Sequence, residues 1–321
     1  MPRKDVCGLV VACALLAGAT RPGPVQALPV SLSATSGVLL GGAKEFVYDG
    51  SYMLSELDWP ILPAVYAGLK MDVGDTSGFL ARAELKVGIP LPAGIMTDSD
   101  FLNLDGVKTH YSQSDGDIES IILASAQVGW GIPFWIPGVG TLSLEPFFSF
   151  EYIRLSWTAQ NGYTQYPPEL QAPFTPWSPS TPKVPMYGTA VMYTQNYLIP
   201  ALGVKASIPL LDSLSMGASF LFSPFVWCFD KDSHYFRQYD FYDAMSNGIL
   251  LEPSVWVTYN ISAATALTLD VLYRHISQLT GNVAQVTTGY YTGGEQVTLY
   301  PNGGGASLDA FEISLSFAIG L

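Results

Sequence analysis

The chain has 321 residues, of which 49% are hydrophobic and only 13% charged, with a net charge of −13 and a mean hydropathy of +0.27. That is too apolar for an ordinary soluble domain, where about 25% of residues are charged, and the acidity disfavours nucleic acid as a partner. Beyond the N-terminus no segment approaches the roughly 18 unbroken apolar residues of a membrane-crossing helix. High hydropathy without such a run, together with 31 glycines and 13% aromatics, predicts a transmembrane β-barrel.

In chain order, the first feature is an export leader. Arg3 and Lys4 precede an apolar stretch from Val6 to Ala19, and Val25-Gln26-Ala27 has small-x-small cleavage spacing. These predict a signal peptide over 1–27 and one barrel domain over 28–321. Asp5 is unusual in the charged region, and a lipoprotein reading at Cys13 would leave a very short apolar region. Cys7 and Cys13 fall in the leader, so Cys228 stands alone and no internal disulfide is available. Without the leader, 11 basic residues face 26 acidic ones, a net charge of −15.

The rest predicts ten antiparallel strands with alternating short and long connections. Short turns are expected at Gly74-Asp75-Thr76-Ser77, Pro137-Gly138-Val139-Gly140, Leu211-Asp212-Ser213 and Ser262-Ala263-Ala264. Longer polar loops are expected near 48–53, 101–116, 164–188, 235–246 and 283–306, on the outer side. The last strand is the clearest: Phe311, Ile313, Leu315, Phe317, Ile319 and Leu321 alternate with small or polar residues. Pro60, Pro63, Pro90, Pro92, Pro133 and Pro200 fall in or near strands, where proline is confined to edges and bulges.

Two short clusters carry chemistry. Asp98-Ser99-Asp100 ends the third predicted strand, and Asp230, Asp232 and His234 end the seventh. Residues two apart on a strand share a face. In a ring of ten, the third and seventh strands are nearly opposite, so the clusters would face each other across the barrel mouth. An Asp pair and an Asp-His pair are the parts needed to hold and activate a water.

With these motifs the chain resembles the omptins, bacterial outer-membrane endopeptidases. Asp98-Ser99-Asp100 stands where the family has its Asp pair, and Asp232-Ser233-His234-Tyr235 where it has Asp-x-His-Tyr. Ser55-Glu56-Leu57-Asp58-Trp59 and Arg154-Leu155-Ser156-Trp157-Thr158-Ala159 resemble two further family segments. The resemblance implies hydrolysis by a water between the two pairs, with Asp98, Asp100, Asp232 and His234 catalytic and no covalent intermediate. It implies that Glu45 and Asp230 bind a basic residue before the cut. It implies no metal or cofactor, cationic peptide or protein substrates, a monomer in the bacterial outer membrane, and an active site facing outside. The family's lipopolysaccharide contact maps to Arg154, so a lipid activator is a further expectation.

The departures are specific. Gly106 replaces the acid four residues before the loop histidine, here His110, and Asn196 replaces a second lipid-binding arginine. Phe150 and Tyr152 stand where polar lipid contacts are usual, and the chain ends in Leu321 rather than an aromatic. An inactive barrel acting as a surface adhesin is therefore the alternative reading, and a small porin a further one that a narrow ten-stranded lumen disfavours. Several residues have plainer expectations. His110 reads as a loop residue, His275 and Cys228 as wall residues, and Asp115-Gly116-Asp117 as a turn. Trp135, Trp157, Phe222, Phe225 and Trp227 read as membrane-interface aromatics.

Overall fold

The computed structural model describes residues 28–74, 77–138, 140–287 and 296–321. The predicted signal peptide lies outside them. The elements are β1 (Val30–Asp49), β2 (Tyr52–Gly74), β3 (Gly78–Gly88), β4 (Leu91–Asp100), β5 (His110–Ile136), β6 (Gly140–Gln165), β7 (Val184–Pro185), β8 (Thr189–Leu211), β9 (Leu214–His234), β10 (Tyr239–Asn260), β11 (Thr265–Thr287) and β12 (Gln296–Gly320). Neighbours pair antiparallel, and β1 pairs with both β2 and β12, closing the ring. β3 and β4 are two halves of one strand between β2 and β5, and β7 is a two-residue addition to β6, leaving ten positions. Closure removes the sheet edges that would otherwise expose unpaired backbone.

The prolines sit where the ladder is interrupted. Pro90 lies in the break between β3 and β4. The stretch of β2 opposite that break, between Asp58 and Tyr66, pairs with neither half and holds Pro60 and Pro63. Pro92 borders a register shift against β5, and Pro200 lies inside the shift between Leu198 and Leu202. Pro133 lies where β5 has run past the start of β3 and pairs with β6 alone. Each position avoids asking proline for the amide hydrogen it lacks.

All four short turns fall where expected, although Asp75, Thr76 and Val139 are outside the described residues. Of the expected long connections, 164–188 is observed as one, interrupted only by β7, while three others are shorter than expected. The 48–53 stretch is a turn between Asp49 and Tyr52, the 101–116 stretch yields to β5 at His110, and the 235–246 stretch yields to β10 at Tyr239. β11 runs to Thr287 and β12 resumes at Gln296, so the 283–306 stretch is mostly strand in its described part. Asp115-Gly116-Asp117 lies within β5, beside a register shift at Gln113/Asp115, rather than in a turn. The cause is common. Uninterrupted strands of 20 to 27 residues are about twice what crosses a bilayer, for which ~9–11 suffice. The ladders therefore continue through the polar stretches, which is why those stretches read as loops in the sequence.

Outward side chains of the lower halves are apolar and exposed, among them Leu32, Leu69, Leu85, Phe148, Leu202, Phe220, Val257 and Phe317. Inward side chains form two zones. The lower zone is a charged cavity of about 380 Å³. There Arg274 Nε donates to Glu252 Oε2 at 2.6 Å, Tyr66 Oη to Glu312 at 2.8 Å, and Arg82 binds Asp72 and Glu145. Above it lies a packed layer including Ile61, Ile153, Leu155 and Ile199. Trp59, Trp157 and Tyr193 belong to that layer, with ring centroids 5.1 to 6.1 Å apart. Trp157 is thus a fully buried lumen residue rather than an interface aromatic, because its place in β6 points it inward. The aromatic layer is the floor on which the upper cleft rests.

Candidate active site

The upper cleft collects acids from both walls, on strand ends beyond the bilayer-crossing halves. β4 presents Asp98 and Asp100, two apart on one face. Asp98 pairs across the ladder with Leu57 of β2 and Ser112 of β5, and Ser55 Oγ donates to Asp98 Oδ1 at 2.8 Å. Burial pushes the Asp100 carboxyl up to about 8, with the Asp98 charge adding to it. Asp98 is also held above the ordinary range, chiefly by burial. Because the Asp98 charge bears on Asp100, the two carboxyls titrate as a unit.

The facing wall is β9, which places Asp230, Asp232 and His234 on the inner face. His234 Nε2 is hydrogen-bonded to Asp232 Oδ2, leaving the other ring nitrogen for a further partner. Burial alone would lower the imidazole, but the charge and hydrogen bond of Asp232 outweigh it and hold His234 above its ordinary value. His234 and Asp98 each shift the other's ionisation, so the two pairs share one electrostatic site. β9 meets β10 through a turn of only four residues, not the long loop expected there. Arg237 in that turn bears on Asp98, Asp100 and His234.

Below His234 lies a pocket of four carboxylates. Glu45 of β1 accepts from Trp59 Nε1 at 3.2 Å, and Asp230 from Tyr193 Oη at 2.7 Å. Asp232 lines the same pocket, as does Asp243 of β10, the ladder partner of Asp230. Burial first, and then the neighbouring acids, push Glu45 and Asp230 well up and Asp243 up to about 7. Asp232 Oδ1 and Asp243 Oδ1 are buried without a hydrogen-bond partner among the described residues. Nor does any described Lys or Arg pair with these four acids. Crowding buried acids together is costly, and a basic side chain placed among them lowers that cost.

The structure brings Asp98, Asp100, Asp232, His234, Glu45 and Asp230 to one cleft. It adds Asp243 and Arg237, which the sequence motifs did not single out, and gives Ser55, quoted only within the Ser55–Trp59 segment, a bond to Asp98. Asp243 had only the charge run at 230–243 as a signal, since its pairing with Asp230 exists only in the ladder. Arg154 is elsewhere, on the outer wall, donating to Asn196 Oδ1 at 3.0 Å beside Tyr152. His275 is also on the outer wall, bonded to Asp309 at 2.7 Å. Cys228 is buried among the lumen side chains.

The omptin family model matches residues 26–320. The chain belongs to the omptin family. A crystal structure of outer membrane protease OmpT from Escherichia coli superposes with a TM-score of 0.80 at 16% identity, covering 93% of this chain and 99% of that one. The transport unit of the autotransporter AIDA-I from E. coli (TM-score 0.32, 9% identity) covers 94% of this chain and 93% of its own. The translocator domain of NalP from Neisseria meningitidis (0.31, 8%) covers 91% and 89%. No curated protein matches the sequence. Omptins are outer-membrane proteases, and membership places this chain in that class. The omptin barrel expected from the sequence is the fold observed.

Proposed function

We propose that this omptin is an endopeptidase that hydrolyses peptide bonds after a basic residue, in a cleft facing the outside of the cell. The observation that carries the specificity is the pocket of Glu45, Asp230, Asp232 and Asp243 with no cation of its own. A guanidinium supplies that cation and can bond two carboxylates at once, which favours Arg over Lys.

A water sits between the Asp98/Asp100 pair and His234 and attacks the carbonyl carbon. His234 takes the water's proton, and Asp232 stabilises the resulting imidazolium. The proton shared by the Asp pair is hydrogen-bonded to the carbonyl oxygen as negative charge develops there. The tetrahedral intermediate collapses, the C–N bond breaks, and His234 returns its proton to the leaving amine. No bond to the enzyme forms. The donor set of carboxyls and one imidazole needs no metal. Arg154 is the outer-wall residue we assign to lipid contact, with lipopolysaccharide or another envelope lipid as activator.

The deciding experiment is cleavage of Arg-containing fluorogenic peptides by the refolded barrel in micelles, with and without lipopolysaccharide. Glu45→Gln, Asp230→Asn and Asp243→Asn are each expected to lower kcat/KM after Arg by about 10- to 100-fold, the worth of a charged hydrogen bond. Equal cleavage after Arg and after Leu would remove the pocket's assigned role. A folded barrel that cuts no basic peptide would favour the adhesin reading.

The pH dependence has a defined sign. The active base is neutral His234, so activity falls as pH drops through its raised pKa. The reacting Asp pair holds one proton, so activity falls again as that proton is lost near the value of about 8 for Asp100. We expect a bell-shaped kcat/KM profile, whose limbs are macroscopic values of the coupled site. A flat profile from pH 5 to 9 would contradict the assignment.

A further inference from the structure

We propose that the residue after the cut is bound by an aromatic wall, so that the preferred bond joins Arg to an apolar or aromatic residue rather than to a second basic one. This rests on the endopeptidase reading and specifies the other half of its substrate.

The first observation is direction. In an extended peptide successive side chains point to opposite faces. If the basic side chain descends into the floor pocket of Glu45, Asp230 and Asp243, the next one points up toward the rim. The rim beside the Asp pair is built by His110, the ladder partner of Asp100. Thr109 Oγ1 lies 2.9 Å from His110 Nδ1 and fixes the ring. Tyr166 and Phe174, from the segment between β6 and β7, meet that ring edge-on at centroid distances of 4.8 and 4.9 Å.

The second observation is that this wall is held rigidly. Asn103 Nδ2 donates to the Phe174 carbonyl and Asn103 Oδ1 accepts from the Phe174 amide, both at 2.8 Å. The Trp177 amide donates to the Lys108 carbonyl, also at 2.8 Å. The aromatic segment is therefore stitched to the 101–109 connection rather than projecting freely. A rigid aromatic surface offers apolar area with little ordering to do on binding.

The third observation is charge. The cations of this side are Lys108, which lies over the rings of Tyr111 and Trp177 at 5.0 and 5.1 Å, and Arg237. Arg237 lies beside Tyr166 and close enough to His110 to disfavour its protonation. The nearby acids are turned to their own loops: Asp105 accepts from the Val107 amide at 2.9 Å, and Glu169 accepts from Thr175 Oγ1 at 2.7 Å. Gly106, beside Asp105, carries no side chain at all. A Lys or Arg after the cut would meet Arg237, Lys108 and ring edges, while the carboxylates of this side, Asp105 and Glu169, are already engaged within their own loops. A Phe or Leu would meet rings.

The test uses the refolded full barrel and peptides identical except for Phe, Leu, Ala or Lys after a single Arg. We expect kcat/KM for Arg-Phe to exceed that for Arg-Lys by about tenfold or more, the range a well-formed apolar subsite gives. Arg-Lys cut as well as Arg-Phe, or better, overturns this proposal and leaves cleavage after Arg intact. No cleavage of any of the four overturns the endopeptidase reading, and this one with it. Phe174→Asp is expected to invert the preference, and Phe174→Ala to shrink it without adding charge. Ratios are compared within each variant, so partial misfolding does not distort them. A Phe-to-Lys ratio unmoved by both substitutions also overturns the proposal.

Discussion

His234→Ala and Asp98→Asn should each abolish measurable cleavage of an Arg peptide, with kcat/KM down by about 10²–10⁴, while the barrel still folds. The two losses have different causes. Alanine at His234 removes the only imidazole bonded to Asp232, and so the base that deprotonates the water. Asparagine at Asp98 keeps the volume, but it can neither hold nor pass a proton, and it removes the charge that helps Asp100 keep its own. Ser55→Ala, which removes only the 2.8 Å bond that orients Asp98, should cost far less, about tenfold. Steady-state kinetics on refolded variants of matched heat stability decide the matter. Retention of more than a tenth of wild-type activity by His234→Ala would sink the assignment of the base. So would an Asp98→Asn loss no larger than that of Ser55→Ala, for the Asp pair.

The largest stability effect is expected away from the cleft, at Arg274. Its guanidinium is buried in the lower cavity with Glu252 at 2.6 Å and Glu151 at 3.4 Å. Glu312 nearby is bound to Lys86 at 2.5 Å. Arg274→Met keeps most of the volume and leaves two buried carboxylates unpaired, a change that costs about 3–5 kcal/mol. Pairing the same change with Glu252→Gln should recover part of that loss, since one unpaired charge is removed. Lys44→Met is the control: Lys44 pairs with Glu56 and Asp58 on the exposed outer wall, where such bonds contribute about 0–1 kcal/mol. Urea unfolding in micelles, followed by tryptophan fluorescence, would compare the three. An Arg274→Met loss no greater than that of Lys44→Met would mean that cavity water already screens the cluster.

Much of this was readable in one dimension, for a physical reason. A strand that separates lipid or water from lumen must alternate, and alternation survives in the sequence, as from Phe311 to Leu321. The pairs Asp98/Asp100 and Asp232/His234 are local, each two residues apart on one strand, so their shared face follows from strand geometry alone. Closed antiparallel order with short inner turns then put them across from each other.

What failed to show was whatever depends on a neighbouring strand. Polar stretches at 235–246 and 101–116 read as loops because composition reports contact with water. It does not report whether the backbone is still paired, and here the ladders continue far above the bilayer. Asp243 joined the acidic cluster under His234 only through its ladder partner Asp230. Trp157 read as an interface aromatic until register turned it into the lumen. The wall of His110, Tyr166 and Phe174 joins residues up to 64 positions apart through ring contacts. Local patterning thus determined the barrel and the pairs Asp98/Asp100 and Asp232/His234. Register and long-range packing decided the shape and charge of the cleft surfaces around them, because those surfaces are assembled from side chains of different strands and no single strand carries their pattern.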